Sequence, residues 1–276
     1  MEAPERTPVQ GAQREVPGRL DLSTPSVARM YDYFLGGKDN FAVDRERAEE
    51  VIRQAPHVPF MAQANRDFLG RTVRYLAGEC GVRQFLDIGT GLPTQENVHQ
   101  VAQRADPRVR VVYVDNDPVV LGHARALLAN NPNTHVMAGD LREPWAILGD
   151  PHVRGVIDFS QPVAVLLCAI LHFIPDGDDP YGIVATLVNA MAPGSYLVVS
   201  HAERHRDLMP TTGAYDYEGA SAPAVLRSLV EIAEFFDGLE LVDPGVVYLP
   251  LWRPDGPLFF EDHRVRVCGG VGRKLC

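Results

Sequence analysis

Apolar residues follow one periodicity in the first third of the chain and a different one in the rest. Up to about residue 80 they recur at intervals of three and four, which is typical of amphipathic helices. The pattern predicts three helices, over 26–35, 43–54 and 60–79, each followed within two residues by glycine or proline. We therefore expect residues 21–80 to form a helical N-terminal annex. Residues 1–20 are polar and Pro-rich, and they are predicted to be a disordered tail.

From residue 84 onward, short apolar runs alternate with helical patterns. Strands are predicted at 84–88, 109–114, 134–138, 163–168 and 196–201, with helices at 96–104, 119–129 and 181–191. This alternation implies a parallel sheet that is covered by helices on both faces. Towards the C-terminus the pattern predicts a helix at 222–236 and edge strands at 239–242, 246–251 and 264–268. Residues 81–276 are expected to form one α/β core, and the whole chain one domain.

Composition and charge exclude several classes of protein. The formal net charge is −10 and the Lys and Arg residues are scattered, which argues against a nucleic-acid-binding protein. No apolar run reaches about 18 residues, so we expect no transmembrane helix. The N-terminus has no apolar segment of the kind found in secretory signals, which predicts a cytoplasmic protein. The four cysteines form no CxxC pair and have no zinc spacing, so no metal is expected.

Candidate chemistry is concentrated where the predicted strands end. The first strand runs into the segment 87–91, Asp-Ile-Gly-Thr-Gly, and glycines in such a turn let a ligand approach the backbone. The second strand ends at Asp115 and the third at Gly139 and Asp140. Since the carboxyl ends of parallel strands share one edge of the sheet, these acidic residues are expected to surround one ligand. Asp115 is placed to accept both hydroxyl groups of a ribose.

The turn itself favours one class of nucleotide over another. A glycine pair alone also fits a structural turn, and a dinucleotide site would require a third glycine where this chain has Thr94. Pro93 lacks the N–H group that could contact a pyrophosphate, and Asp87 would repel one. A ligand with an amino group and a positive charge, such as S-adenosylmethionine, fits Asp87 better than a nicotinamide dinucleotide does.

Five segments carry a resemblance to a known family. Four of them read LDIGTG, VDNDP, GD and LHFIPD, at 86–91, 114–118, 139–140 and 171–176. Together they resemble class I S-adenosylmethionine-dependent methyltransferases. The fifth, at 25–41, reads PSVARMYDYFLGGKDNF and is similar to an actinobacterial family of S-adenosyl methyltransferases that was once a domain of unknown function. The resemblance covers nearly the whole chain after residue 20.

The resemblance implies an α/β, Rossmann-like fold with helices on both faces of a mostly parallel sheet. The sheet would have seven strands in the order 3-2-1-4-5-7-6, with strand 7 antiparallel. Gly89 and Gly91 would line the methionine half of S-adenosylmethionine, and Asp115 would hold its ribose. Asn116 would flank the adenine, and Asp140 would meet the adenine amino group. The predicted cofactor-binding residues are Asp87, Gly89, Thr90, Gly91, Asp115, Asn116, Gly139, Asp140 and Leu141.

The candidate catalytic residues are His172 and Tyr31. Methyl transfer from a sulfonium requires alignment, and it requires a base only if the nucleophile keeps its proton. His172 follows the fourth strand and is predicted to be a base or a substrate contact, with a structural histidine as the alternative. Tyr31 lies in a helix that either closes over the cofactor as a lid or packs on the sheet.

Four further residues are predicted to bind the methyl acceptor: Tyr33, Lys38, His201 and Tyr215. For each of them a structural or surface role is the alternative. The predicted function is an S-adenosylmethionine-dependent methyltransferase that acts on a small molecule. A non-catalytic regulatory or interaction protein that binds S-adenosylmethionine would share every cofactor residue and stays open as the alternative.

Overall fold

The computed structural model describes residues 22–93, 96–128, 131–204, 221–256 and 265–276. The prediction of a disordered tail over residues 1–20 lies outside these described ranges.

Three consecutive helices form the N-terminal annex, as the helical periodicity predicts: α1 (Val27–Phe34), α2 (Ala42–Gln54) and α3 (Val58–Arg74). A π-helical turn over Tyr75–Glu79 prolongs α3. The side chains of Arg29 and Asp44 form an ion pair at 3.1 Å, and both are almost completely buried. Asp44 also accepts a hydrogen bond from the backbone N–H of Ser26, so it fixes the start of α1 on α2.

One mixed sheet forms the centre of the molecule. Its strands are β1 (Gln84–Ile88), β2 (Arg110–Asp115), β3 (Thr134–Ala138), β4 (Ala164–Cys168), β5 (Tyr196–Ala202), β6 (Glu240–Leu241), β7 (Val247–Tyr248) and β8 (Val267–Arg273). The strand order is β3-β2-β1-β4-β5-β8-β6, and β8 is antiparallel to β5. The predicted Rossmann-like sheet is thus confirmed, including the late antiparallel strand that inserts next to strand five. The described sheet has eight strands rather than seven because the short β7 also pairs with β8.

Helices cover both faces of this sheet. Beyond the annex they are α4 (Val98–Ala105), α5 (Pro118–Leu128), α6 (Pro144–Gly149), α7 (Pro151–Val156), α8 (Pro180–Ala190) and α9 (Leu229–Glu234). Side chains of successive strand residues point to opposite faces. Accordingly, Phe85 packs in a cluster with Phe68 of α3, whereas its neighbour Leu86 packs in a second cluster with Leu187 of α8.

Three C-terminal predictions are wrong in detail. The strand predicted at 246–251 covers only Val247–Tyr248 and is followed by a 3₁₀ turn over Leu249–Leu251. Only Leu229–Glu234 is helical within the predicted helix at 222–236, because Ser228 and Glu231 form a capping box that starts the helix there. The last strand is Val267–Arg273 rather than 264–268. Its glycines have a low propensity for strands, so the apolar pattern does not predict a strand over most of this segment. At Gly269, a Cβ atom would lie 2.4 Å from the carbonyl oxygen of Val199, so the sheet itself requires glycine there.

Candidate functional site

The glycine turn after β1 lies at the carboxyl edge of the sheet. Gly89 and Gly91 have φ values of +75° and +66°, in the left-handed region that favours glycine. The N–H group of Gly89 donates to the carbonyl oxygen of Val114 at 2.8 Å, which holds the turn against β2. A Cβ atom on Gly89 would come within 2.7 Å of the side chain of Ile170. Position 89 therefore needs glycine for both its backbone and its surroundings.

Asp115 ends β2 directly beside this turn. Its carboxylate accepts hydrogen bonds from the backbone N–H groups of Gly91 at 2.8 Å and Asp117 at 2.9 Å. Burial raises the pKa of Asp115, and these two donors counteract the increase. An ionised carboxylate has about four acceptor positions, so two hydrogen bonds leave capacity for a ligand.

Asp140 follows β3 and is paired with a nearby arginine. It accepts hydrogen bonds from the backbone N–H and from Nε of Arg142, at 2.9 and 3.0 Å, and a longer one from the side chain of Asn116 at 3.3 Å. The hydrogen bonds from Arg142 lower the pKa of Asp140 to about 2. The group is therefore ionised at neutral pH.

Asp87 is the most buried of the three carboxylates, with 5 % of its surface exposed. Burial raises its pKa to about 7; Arg66 opposes this increase, whereas the charge of Asp115 adds to it. A carboxylate in this state gains stability when a cation binds next to it, because the cation favours the ionised form. The prediction that Asp87 suits a cationic or amino-bearing ligand agrees with this environment.

One cavity of about 580 Å³ connects these groups. All nine residues that the sequence predicts to bind the cofactor line it: Asp87, Gly89, Thr90, Gly91, Asp115, Asn116, Gly139, Asp140 and Leu141. The loop after β4 and the annex helices α1 and α3 complete its walls. Cavities of this volume are typical of cofactor and small-molecule sites.

The annex covers the cavity from above the sheet edge. The hydroxyl of Ser26, just before α1, donates to the carboxylate of Asp117 at 2.5 Å, which ties the annex to the loop after β2. On α1, Ala28 packs beside Leu92 and Val119 next to the glycine turn. Helix α1 therefore lies against the loops after β1 and β2, and several of its residues line the cavity.

Tyr31 lines the cavity, but its hydroxyl is already engaged. It donates to the carbonyl oxygen of Ala62 at 3.0 Å and accepts from the side-chain amide of Asn65 at 2.8 Å. Asn65 in turn accepts from the hydroxyl of Ser200 in β5. Burial raises the pKa of Tyr31 to about 12, so the phenol keeps its proton at neutral pH. These contacts favour a role in joining α1, α3 and the sheet over a role as a base.

His172 also lines the cavity, in a short 3₁₀ turn over Leu171–Phe173 after β4. Its Nδ1 accepts a long hydrogen bond, 3.5 Å, from the backbone N–H of Ala202. Burial lowers the pKa of His172 well below its usual value, and the neighbouring His201 lowers it further. The imidazole is therefore neutral at physiological pH, and as a base it would be weak.

His201 does not reach the cavity, in contrast to the prediction that it contacts substrate. Its ring is fully buried, Nδ1 donates to the carbonyl oxygen of Ala202 at 2.8 Å, and Nε2 accepts from Arg227 at 3.0 Å. Burial lowers its pKa to about 3. Both ring nitrogens are thus used inside the protein, and the residue supports the cavity wall from behind.

The other predicted substrate contacts lie elsewhere as well. Tyr33 is on the opposite side of α1 from the cavity, where its hydroxyl donates to Glu49. Lys38 is exposed and borders a different groove of the surface. Tyr215 lies outside the described residues. Thus none of the predicted acceptor contacts that the structure describes lines the cavity.

The sequence patterns do not predict a role for Arg66, which lines the cavity, or for Arg227, which lies behind its wall. Arg66 lines the cavity from α3, where it reads as one more polar residue of an amphipathic helix, so no sequence signal distinguishes it. Arg227 is 2 % exposed, and its guanidinium donates to the carbonyl oxygens of Leu171 and Ile174, both at 3.1 Å. It lies in the segment 222–236, which the apolar pattern wrongly predicts to be one helix. Arg227 holds the loop that carries His172.

Neither a metal centre nor a membrane segment emerges from the described residues. Within them, no group of three or more His, Cys, Asp or Glu side chains is arranged to hold a metal ion. Of the helices seen there, none is both long and apolar enough to cross a bilayer.

Comparisons with known proteins agree with this geometry. The profile of a protein family described as S-adenosyl methyltransferase matches residues 13–275. A crystal structure of a candidate methyltransferase from Thermobifida fusca is 44% identical, covers 94% of this chain and 98% of its own, and superposes with a TM-score of 0.87. For a protein of the DUF574 family from Streptomyces avermitilis the values are 41%, 93%, 100% and 0.86. A comparison with curated proteins gave no match.

Proposed function

This chain belongs to the S-adenosyl methyltransferase family, and on that premise we propose that its cavity binds S-adenosylmethionine together with a small-molecule methyl acceptor. The observation that carries the proposal is the cavity itself. The residues at the ends of β1, β2 and β3 line it, and it extends under the annex to the loop after β4. Bound S-adenosylmethionine supplies an activated methyl group, and the protein has to align an acceptor with it.

The residues at the ends of β1 and β2 fit the ribose and methionine parts of the cofactor. Asp115 has acceptor capacity left for the ribose hydroxyls after its two backbone hydrogen bonds. The left-handed turn at Gly89 and Gly91 puts no side chain between the backbone and the ligand. Both features support a nucleoside with a short tail rather than a pyrophosphate.

The opposite charges of Asp87 and Arg66 suit the two ends of an amino acid. Asp87 is a buried carboxylate whose raised pKa falls again when an ammonium group binds. Arg66 lines the same part of the cavity and is close enough to act on the pKa of Asp87. We assign Asp87 to the ammonium group and Arg66 to the carboxylate of the methionine moiety.

The adenine is assigned to the end of β3. Asp140 is ionised and can accept a hydrogen bond from the adenine amino group, although Arg142 and Asn116 already occupy part of its capacity. The buried apolar side chains of Leu141 and Val119 line this end of the cavity. Apolar walls with a few fixed polar groups are what a purine ring requires.

Isothermal titration calorimetry with S-adenosylhomocysteine tests the cofactor assignment. We expect binding by the wild-type protein and a loss of about 10–100-fold for Asp115→Ala, since hydrogen bonds to a charged group contribute about 1.5–3 kcal/mol. Asp237→Ala, an exposed site away from the cavity, is the matched control and should bind like wild type. Binding of a nicotinamide dinucleotide without binding of S-adenosylhomocysteine would refute the proposal.

A second measurement separates an enzyme from a non-catalytic binding protein. The protein is incubated with methyl-labelled S-adenosylmethionine and a fractionated metabolite extract, and the label is followed into small molecules. Transfer that disappears in Asp115→Ala supports a methyltransferase of small molecules. Tight binding without transfer to any fraction supports the regulatory alternative.

A further inference from the structure

Beyond the cofactor-binding residues, the cavity continues into an apolar chamber under the annex. We call this part the acceptor chamber and define it by Tyr31, Phe34, Val58, Ala62, His172 and Phe173, all of which line the cavity. The five of these residues other than His172 belong to or pack against one hydrophobic cluster. The ring of His172 lies 4.4 Å from that of Phe173, which places it at the same wall.

The titratable groups of the acceptor chamber are uncharged near neutral pH. Burial raises the pKa of Tyr31 to about 12, and it also raises the pKa of the adjoining Cys168 thiol. Burial lowers the pKa of His172 well below its usual value. Behind the wall, the charge of Arg227 acts on His172 and is paired with Asp176. Asp87 and Arg66, which line the cavity, have opposite charges and are assigned above to the methionine moiety. A charged acceptor would lose its hydration on binding, and the described residues of this wall offer it no counter-ion. Burying an unpaired charge in this way is strongly unfavourable.

Among the described residues that define the acceptor chamber, His172 keeps a side-chain hydrogen-bond donor for a ligand. The hydroxyl of Tyr31 already donates to Ala62, and the amide of Asn65 is used by Tyr31 and Ser200. In the neutral ring of His172, Nδ1 accepts from the backbone of Ala202, so the proton is on Nε2. This Nε2 has no hydrogen-bond partner among the described residues, and the residue faces the cavity.

We propose that the acceptor chamber takes an uncharged, largely apolar methyl acceptor that presents a carbonyl oxygen to the Nε2–H group of His172. This inference rests on the proposed function, because the other half of the cavity must hold the cofactor. His172 then orients the acceptor and does not remove its proton.

The acceptor atom must consequently carry a free lone pair at neutral pH. That lone pair forms the bond to the methyl carbon while the carbon–sulfur bond breaks and its electron pair stays on sulfur. Any proton left on the acceptor atom passes to water. An uncharged nitrogen acceptor in a molecule that also bears a carbonyl group meets these conditions.

Three probes of equal size and different charge test the inference: benzamide, benzoate and benzamidine. They are titrated into protein that is labelled with ¹⁵N in its histidine rings and saturated with S-adenosylhomocysteine, and the His172 signals are followed by NMR. We expect the neutral benzamide to shift the Nε2 signal of His172 and to bind at least tenfold more tightly than the two charged probes.

Variants of His172 separate its hydrogen bond from its packing. His172→Gln keeps an N–H donor, and we expect it to bind benzamide within about threefold of wild type. His172→Phe fills the space without a donor and should bind at least tenfold more weakly. His123→Gln, an exposed histidine outside the cavity, is the control and should change nothing.

The outcomes distinguish this inference from the proposed function. Absence of S-adenosylhomocysteine binding would defeat the proposed function itself. Normal S-adenosylhomocysteine binding overturns only the acceptor inference in three cases: if benzoate or benzamidine binds as tightly as benzamide, if no probe binds, or if His172→Phe binds benzamide like wild type.

Discussion

Arg227 donates a hydrogen bond through Nη1 to Nε2 of His201 at 3.0 Å, and the two buried side chains meet behind the ring of His172. The same guanidinium donates to two carbonyl oxygens of the loop after β4. Arg227 therefore fixes the wall of the acceptor chamber without touching the cavity. Its partners are the backbone carbonyls, the imidazole of His201 and the carboxylate of Asp176, with which it forms an ion pair.

Replacement of Arg227 by methionine should destabilise the protein by about 2–4 kcal/mol, because each buried polar group left without its partner costs about 1–3 kcal/mol. Urea denaturation followed by circular dichroism measures this loss. Arg204→Met is the matched control, because Arg204 pairs with Glu231 at the exposed surface. It should cost less than about 1 kcal/mol. Equal losses in the two variants would show that Arg227 does not hold the loop.

Tyr31 and Tyr33 offer a second comparison, between a buried and an exposed hydroxyl on the same helix. Tyr31→Phe removes the partner of both Ala62 and Asn65, and we expect a loss of about 1–2 kcal/mol in the free energy of unfolding. Tyr33→Phe removes only a surface hydrogen bond to Glu49 and should change stability by less than about 0.5 kcal/mol. A reversed order in urea denaturation would contradict the structural role of Tyr31.

The part of the cavity assigned to the cofactor could be predicted from the sequence because its residues are close together in the chain or at neighbouring strand ends. Strand ends and the turn at Gly89 are encoded within a few residues, and parallel topology brings Asp87, Asp115 and Asp140 together. The fold was predictable for the same reason, since most strands are continuous apolar runs. The glycine-rich β8 is the exception. Close contact with β5 requires glycine at position 269, although glycine has a low propensity for strands.

Apart from Tyr31 and His172, the residues of the acceptor chamber and its supports could not be predicted, because they depend on which way side chains point. β5 is buried along its whole length, so the apolar pattern gives no direction for His201. The role of Arg227 can be recognised only from its contacts with residues that are distant in the sequence. For Tyr33 the information was present, since residues two apart on a helix point about 200° from each other, so that Tyr31 and Tyr33 cannot both face the cavity.

The two glycines of the turn should differ in their tolerance of alanine. Both have positive φ, so Gly91→Ala adds backbone strain of about 1–2 kcal/mol while its Cβ enters open space. Gly89→Ala adds the same strain and a clash with Ile170, which costs a further ~1–3 kcal/mol. Thermal unfolding should therefore rank Gly89→Ala below Gly91→Ala. The ranking is wrong if the two melting temperatures coincide.

The raised pKa of Asp87 predicts that pH acts in opposite directions on stability and on cofactor binding. Burial raises this pKa from 3.8 to about 7 in the folded protein, so the folded state binds the proton more tightly than the unfolded chain does. The favourable contribution of protonated Asp87 is complete below about pH 4, and it is lost as the pH rises to about 7. Asp87→Asn should remove this loss and make the ligand-free protein more stable than wild type at pH 8.

Ligand binding responds in the other direction, because an ammonium group requires the ionised carboxylate. One pH unit below the pKa only about a tenth of Asp87 is ionised, so S-adenosylhomocysteine should bind about tenfold more weakly at pH 6 than at pH 8. Calorimetry at both pH values measures the change, and Asp87→Asn should bind weakly with no such dependence. Asp140, whose pKa is lowered to about 2, stays ionised throughout this range and cannot produce the effect. A wild-type affinity that is constant from pH 6 to 8 would therefore remove Asp87 from the ammonium site.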